Sequence, residues 1–188
     1  MLWVSAVSAS AQSFEAGLHF ASSKWSEFDG NDRGVGGRLT WKPTSMLGMD
    51  ADLTWYRSDF PPDRIPFSGR RIEGLFGATF GPQVNRVRPF AKAAGGFLKV
   101  GDTPIAFVCL TIFPPPLSCL MAGGQTLPAY EIGGGVAVNA TPRTFIRADV
   151  TDRILKYPGP TFDSKFAVRD NGFIGHALRL TLGGGIRF

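Results

Sequence analysis

The chain lacks an apolar run long enough for a spanning helix. Thr103 to Tyr130 carries no charge, but only Ile105 to Phe113 is strongly apolar before Pro114, Pro115 and Pro116 interrupt it. A helix crossing a bilayer needs about 20 mostly apolar residues, and consecutive prolines would break it. Charge is also scarce, at 19% of residues, below the roughly 25% of soluble globular domains. The net charge of +5 comes from basic residues scattered singly. Without a run of Lys and Arg on one face, a nucleic-acid partner is excluded. Histidine and cysteine are sparse. His19 and His176 are the two histidines, and Cys109 and Cys119 lack zinc-ligand spacing, so no metal site is expected. Neither a hydrolase motif nor a Gly-rich phosphate loop is present. No cofactor and no catalytic residue is therefore assigned.

What the sequence has in excess is glycine, 24 residues, and phenylalanine, 16 against 3 Tyr. That composition suits many short strands between turns. Period-two alternation recurs about eight times and decides the class. In the last segment Leu178, Leu180, Leu182, Gly184, Ile186 and Phe188 share one face, and Arg179, Thr181, Gly183, Gly185 and Arg187 the other. Helical spacing would mix the arginines among the leucines. The same alternation runs from Phe14 to Phe20, Val35 to Lys42, Met49 to Tyr56, Arg71 to Phe80, Tyr130 to Asn139 and Ile146 to Arg153. Leu75 breaks the pattern in its segment, and Pro89 to Val100 is less regular, with Lys92 marking its polar face.

Connections alternate in length. Short turns fall at Pro43–Gly48, Gly81–Arg88 and Ala140–Arg143. Longer loops fall near Ser26–Arg33, Ser58–Gly69, Gly101–Thr126 and Leu155–Asn171. Turns at one end and loops at the other predict an all-β, eight-stranded antiparallel up-and-down transmembrane β-barrel with periplasmic turns. A soluble barrel would turn the apolar face inward. Bulky apolar residues on nearly every strand, with Trp41, Trp55 and Phe188 toward the ends as girdle anchors, favour lipid outside.

The closing stretch His176 to Phe188 resembles the C-terminal β-signal of the small outer-membrane barrel family of OmpA-type, OmpX-type and opacity-type proteins. Its carrying residues are Leu178, Leu180, Leu182, Ile186 and Phe188. The resemblance implies a Gram-negative cell outer membrane, reading by the barrel-assembly machinery, and outer-membrane lipid and lipopolysaccharide as partners. It says little about activity. Residues 1–11, with the small-x-small triplet Ala9-Ser10-Ala11, are expected to be the remnant of a signal sequence, leaving 12–188 as the barrel.

The polar face supplies a lumen set: Glu15, Arg38, Asp52, Arg71, Glu73, Lys92, Glu131, Arg147, Asp149, Arg153, Arg179 and Arg187. Isolated charges there would cost several kcal/mol each, so they are expected to pair. The turns are expected to put Glu131 opposite Arg153, Arg38 beside Asp52, and Glu15 beside Arg187. Such a set is either a structural plug or a gate in a narrow, weakly conducting pore; eight strands favour the plug. Cys109 and Cys119 are expected to form a disulfide around Leu110 to Ser118, worth about 3 kcal/mol on the chain-entropy model. It either stiffens the loop or presents Ile112, Phe113 and Leu117 as an apolar knob. A lipid-modifying enzyme would need a Ser/His/acid set on the lipid-facing surface. His19 lies near Glu15 on the polar face, and His176 has no nucleophile beside it in sequence. The expected role is therefore non-enzymatic, with long extracellular loops meeting a surface ligand or host protein.

Overall fold

The computed structural model describes residues 12–26, 31–56, 71–101, 125–157, 161–162, 168–169 and 173–188. Residues 1–11, and the segment holding Cys109 and Cys119, lie outside them. The barrel strands are β1 (Ser13–Trp25), β2 (Asn31–Lys42), β3 (Leu47–Tyr56), β4 (Arg71–Phe80), β5 (Val87–Val100), β6 (Gln125–Asn139) and β7 (Thr144–Tyr157). After β7 come a two-residue pair, β8 (Thr161–Phe162) and β9 (Val168–Arg169), and then the closing strand β10 (Phe173–Arg187). All neighbours are antiparallel, and the order β1-β10-β7-β6-β5-β4-β3-β2 closes on itself. Closure removes both sheet edges, so strand N–H and C=O groups find partners within the wall.

The turns show why the strands stop where they do. Thr141 Oγ1 accepts the N–H groups of Arg143 at 3.2 Å and Thr144 at 3.0 Å, tightening the turn before β7. Asn85, at φ 55°, takes the left-handed position between β4 and β5, a conformation Asn tolerates better than most residues. The last strand closes the wall through reciprocal backbone bonds between Phe14 and Phe188. At the loop end, β2 begins at Asn31 rather than beyond Arg33, and β7 continues to Tyr157. The expected loops at these two places are correspondingly shorter.

Register fixes the barrel's shape. Following Cα partners from Glu15 through Thr40, Asp50, Gly77, Ala94, Glu131, Arg153 and Ala177 returns to β1 at Trp25, ten residues further on. That stagger around eight strands, at about 3.3 Å per residue and about 4.8 Å between strands, tilts the strands by about 40°. Strong coiling brings neighbouring backbones close on the inner face. A Cβ on Gly185 would sit 2.1 Å from the Ala16 carbonyl oxygen and 2.6 Å from Gly17 Cα. Gly185→Val is therefore expected to destabilise the barrel by about 1–3 kcal/mol, as overpacking does. Urea unfolding in lipid vesicles measures this; a neutral valine would contradict the close approach.

The two faces differ as sharply as the alternation predicts. Leu18, Leu39, Phe76 and Leu182 point outward and are 59–76% exposed. Arg153 and Arg179, both long and charged, are 0% exposed inside. The interior is not polar throughout. Leu75, Leu98, Ala129, Leu155 and Ala177 form an apolar cluster within it, toward the loop end. Leu75, the break in its strand's pattern, belongs to this cluster because it continues the inward parity of Arg71 and Glu73.

Candidate functional site

The polar face assembles inside the barrel as a ladder of charge. Nearest the turns, Lys42 Nζ and Arg187 Nη2 both reach Glu15 Oε1 at 2.5 Å. Arg187 also donates to Asn139 Oδ1 at 2.8 Å and stays partly exposed at the rim. Above this, Arg147 donates to Asp50 at 2.7 Å and to Asp149 at 2.9 Å, with its guanidinium 4.3 Å from the Phe90 ring centre. Arg38 Nε donates to Asp52 at 2.9 Å while its Nη1 reaches Asp149 at 2.7 Å.

Glu131 is the hub of the middle layer. Lys92 Nζ donates to it at 2.9 Å, Arg179 Nη1 lies 3.1 Å from both of its oxygens, and the Thr151 hydroxyl donates to it. Arg179 Nη2 also donates to Thr54 Oγ1 at 2.8 Å, and His19 Nε2 shares that hydroxyl at 2.9 Å. Toward the loops, Glu73 accepts from Tyr56 at 2.6 Å and from Arg153 at 2.9 Å, and Arg71 donates to Asp32 at 2.6 Å.

Two expected neighbour pairs, Arg38–Asp52 and Glu15–Arg187, are bonded as well as opposite. Glu131 does stand opposite Arg153 in the register, but Arg153 turns away. It pairs with Glu73 on β4 instead, leaving Glu131 to Lys92 and Arg179. The reason is reach. Across so narrow a cylinder an arginine spans from wall to wall, and facing strands compete with adjacent ones. Arg38 on β2 to Asp149 on β7, Arg147 on β7 to Asp50 on β3, and Arg179 on β10 to Thr54 on β3 are such chords. Each joins strands three or four places apart in the wall and so runs across the lumen rather than along it.

Sequence reasoning omitted Asp32, Lys42, Asp50 and Arg88 from the set, although all four are buried. Parity was the available signal. Asp32 and Lys42 share Arg38's face of β2, Asp50 shares that of Asp52, and Arg88 shares that of Lys92.

Solved structures of similar shape share this architecture. Neisserial surface protein A superposes with a TM-score of 0.55 at 14% identity, covering 95% of this chain and 98% of that one. The N-terminal β-barrel domain of Pseudomonas aeruginosa OprF gives 0.53 at 13%, covering 93% and 97%. The attachment invasion locus protein Ail of Yersinia pestis, in complex with the heparin analogue sucrose octasulfate, gives 0.53 at 18%, covering 94% and 97%. The chain has the fold of the small outer-membrane β-barrels. No protein-family model and no curated protein sequence matches it.

On the outside of this small outer-membrane-type barrel, the apolar belt ends in rings at both edges. Phe14 and Trp41 stack at the turn end, centroids 6.4 Å apart, while Trp55 and Tyr130 stand outward nearer the loops. Above the belt, His176 Nδ1 lies 2.8 Å from Asp152 on the outer face. Ser26 is beside His176, but its hydroxyl donates to the His176 carbonyl oxygen at 2.8 Å. The three residues thus line up on the lipid side without the hydroxyl-to-imidazole hydrogen bond that activates a serine.

Proposed function

We propose that the protein is an integral barrel of the Gram-negative outer membrane, sealed along its axis, that acts through its long-loop end. The observation that carries this is the inversion of faces: large apolar side chains outside, a bonded charge ladder inside. Water would not tolerate the outer face, since monomeric soluble proteins rarely expose apolar patches beyond a few hundred Å². The dimensions agree. Leu178 to Phe188 covers about 33 Å of strand, and a tilt of about 40° makes this about 25 Å of height, the apolar band of such barrels.

Several roles follow from that placement. The outward residues Leu178, Leu180, Leu182, Ile186 and Phe188 serve as the signal read by the barrel-assembly machinery. Residues 1–11 serve as part of an export signal, with Ala9-Ser10-Ala11 before the cut. In the loop between β5 and β6, Cys109 and Cys119 close a disulfide suited to the oxidising envelope. The long loops offer contact to a surface ligand or host protein, because binding function concentrates on loops held by a rigid scaffold. The role is structural or one of surface interaction rather than enzymatic.

Two measurements test this together. Boiled and unboiled samples are expected to migrate differently in detergent gels, because a folded barrel resists detergent; unchanged migration with solubility in plain buffer would overturn the membrane placement. In planar bilayers the inserted protein is expected to show no reproducible open events. Stepwise conductance abolished or altered by Arg153→Ala would instead establish a pore, with the cross-axis bonds as its gate.

A further inference from the structure

The outward face is almost free of charge along the belt, and its few charged strand residues collect at the loop end. Four of them form one row across four adjacent strands: Arg33 on β2, Lys24 on β1, His176 on β10 and Lys156 on β7. Each is exposed. Lys24 pairs with Asn31 and Leu178, so Arg33 and His176 are its diagonal neighbours on either side. His176 pairs with Ile154, which makes Lys156 the next diagonal neighbour. Diagonal neighbours on one face are about 7 Å apart, so the row is about 20 Å long.

It is also nearly level. Each step along the row climbs two residues, in the same sense as the barrel's own stagger of just over one residue per strand. The outward residues directly below are apolar or small, Val35 on β2 and Leu178 on β10, and the row therefore stands at the upper border of the belt. Among the described residues the acidic side chain facing it is Asp152, which is held by His176 at 2.8 Å and is half-exposed. Ser22 donates to Asn31 Oδ1 at 2.9 Å between Lys24 and Arg33, adding neutral hydrogen-bonding groups to the same strip.

We infer that this row is a binding site for the headgroup of an outer-leaflet lipid carrying more than one phosphate. The inference rests on the outer-membrane reading, which puts the row at headgroup height on the loop side. The spacing of the cations favours such a headgroup over one with a single phosphate. Spread over about 20 Å, they cannot all reach one phosphate. Arginine adds a bidentate fork and lysine a point charge, the usual means of holding phosphate oxygens.

The test uses the full chain folded into phosphocholine vesicles doped with bis-phosphorylated lipid A or, separately, with phosphatidylglycerol. Lipid retained by the protein is counted after transfer to mild detergent, by native mass spectrometry. The wild type is expected to retain lipid A in preference to phosphatidylglycerol. Lys24→Gln, Arg33→Gln and Lys156→Gln are each expected to weaken retention about fivefold, and the triple variant about a hundredfold. Lys99→Gln, an outward cation on β5 away from the row, should leave retention unchanged. Equal retention by wild type and triple variant would overturn the inference, as would equal retention of the two lipids. Failure to insert into any vesicle would overturn the outer-membrane reading itself, and is distinguished by gel mobility with and without boiling.

Discussion

Glu131→Ala is expected to destabilise the folded barrel by about 3–5 kcal/mol, the usual cost of removing one partner from a buried ionic cluster. Its carboxylate is 2% exposed as a residue and accepts from Lys92, Arg179 and Thr151. Alanine leaves two buried cations with fewer counter-charges. Arg179 keeps its hydrogen bond to Thr54, and Lys92 is left with Asp52 at 3.9 Å. Lys92 has the poorer remaining geometry, so adding Lys92→Met to Glu131→Ala should recover part of the loss. Equilibrium unfolding by urea in lipid vesicles reads both variants against the wild type. A Glu131→Ala cost below about 1 kcal/mol would mean the cluster is solvated, since exposed pairs contribute only about that much. The interior would then hold water, and the plug would fail as a description.

The sequence carried the wall of this barrel more fully than its contents. Alternation marked β1 to β4, β6, β7 and β10 because each strand meets a uniform environment on either face, so side-chain parity alone reports orientation. Turn length then gave strand order and the register of Arg38 with Asp52. Pairing inside the lumen was less legible, for a geometric reason. Whether Arg153 turns to Glu131 on the neighbouring strand or to Glu73 across the axis depends on the stagger of ten residues, which exists only once eight registers are combined. The apolar cluster was hidden differently. Its members Leu98, Ala129 and Leu155 obey inward parity but lie near strand ends, where the segments read as loop or as irregular. The outer cationic row needed spatial order above all: Arg33 and Lys156 are far apart in sequence and fall in one row only because β1 and β10 close the cylinder between them.

Leu182→Arg is expected to cost about 2–4 kcal/mol, while Ile174→Arg on the same face of the same strand costs about 1 kcal/mol or less. Both side chains are about 60% exposed, so neither loses packing that the other keeps. What separates them is height. Leu182 lies in the middle of β10's apolar run, and Ile174 lies beyond His176 at the loop end. An arginine at mid-belt cannot reach water without distorting the bilayer, whereas one at the rim meets headgroups or solvent directly. The contrast therefore measures the solvent around the barrel, independently of how the interior is bonded. If the surroundings were aqueous, a cation at either exposed position would change stability by no more than about 0.5 kcal/mol, the ordinary range for surface substitutions. Folding each variant into vesicles and comparing urea midpoints gives the two numbers, and equal costs would place water, not hydrocarbon, against Leu182.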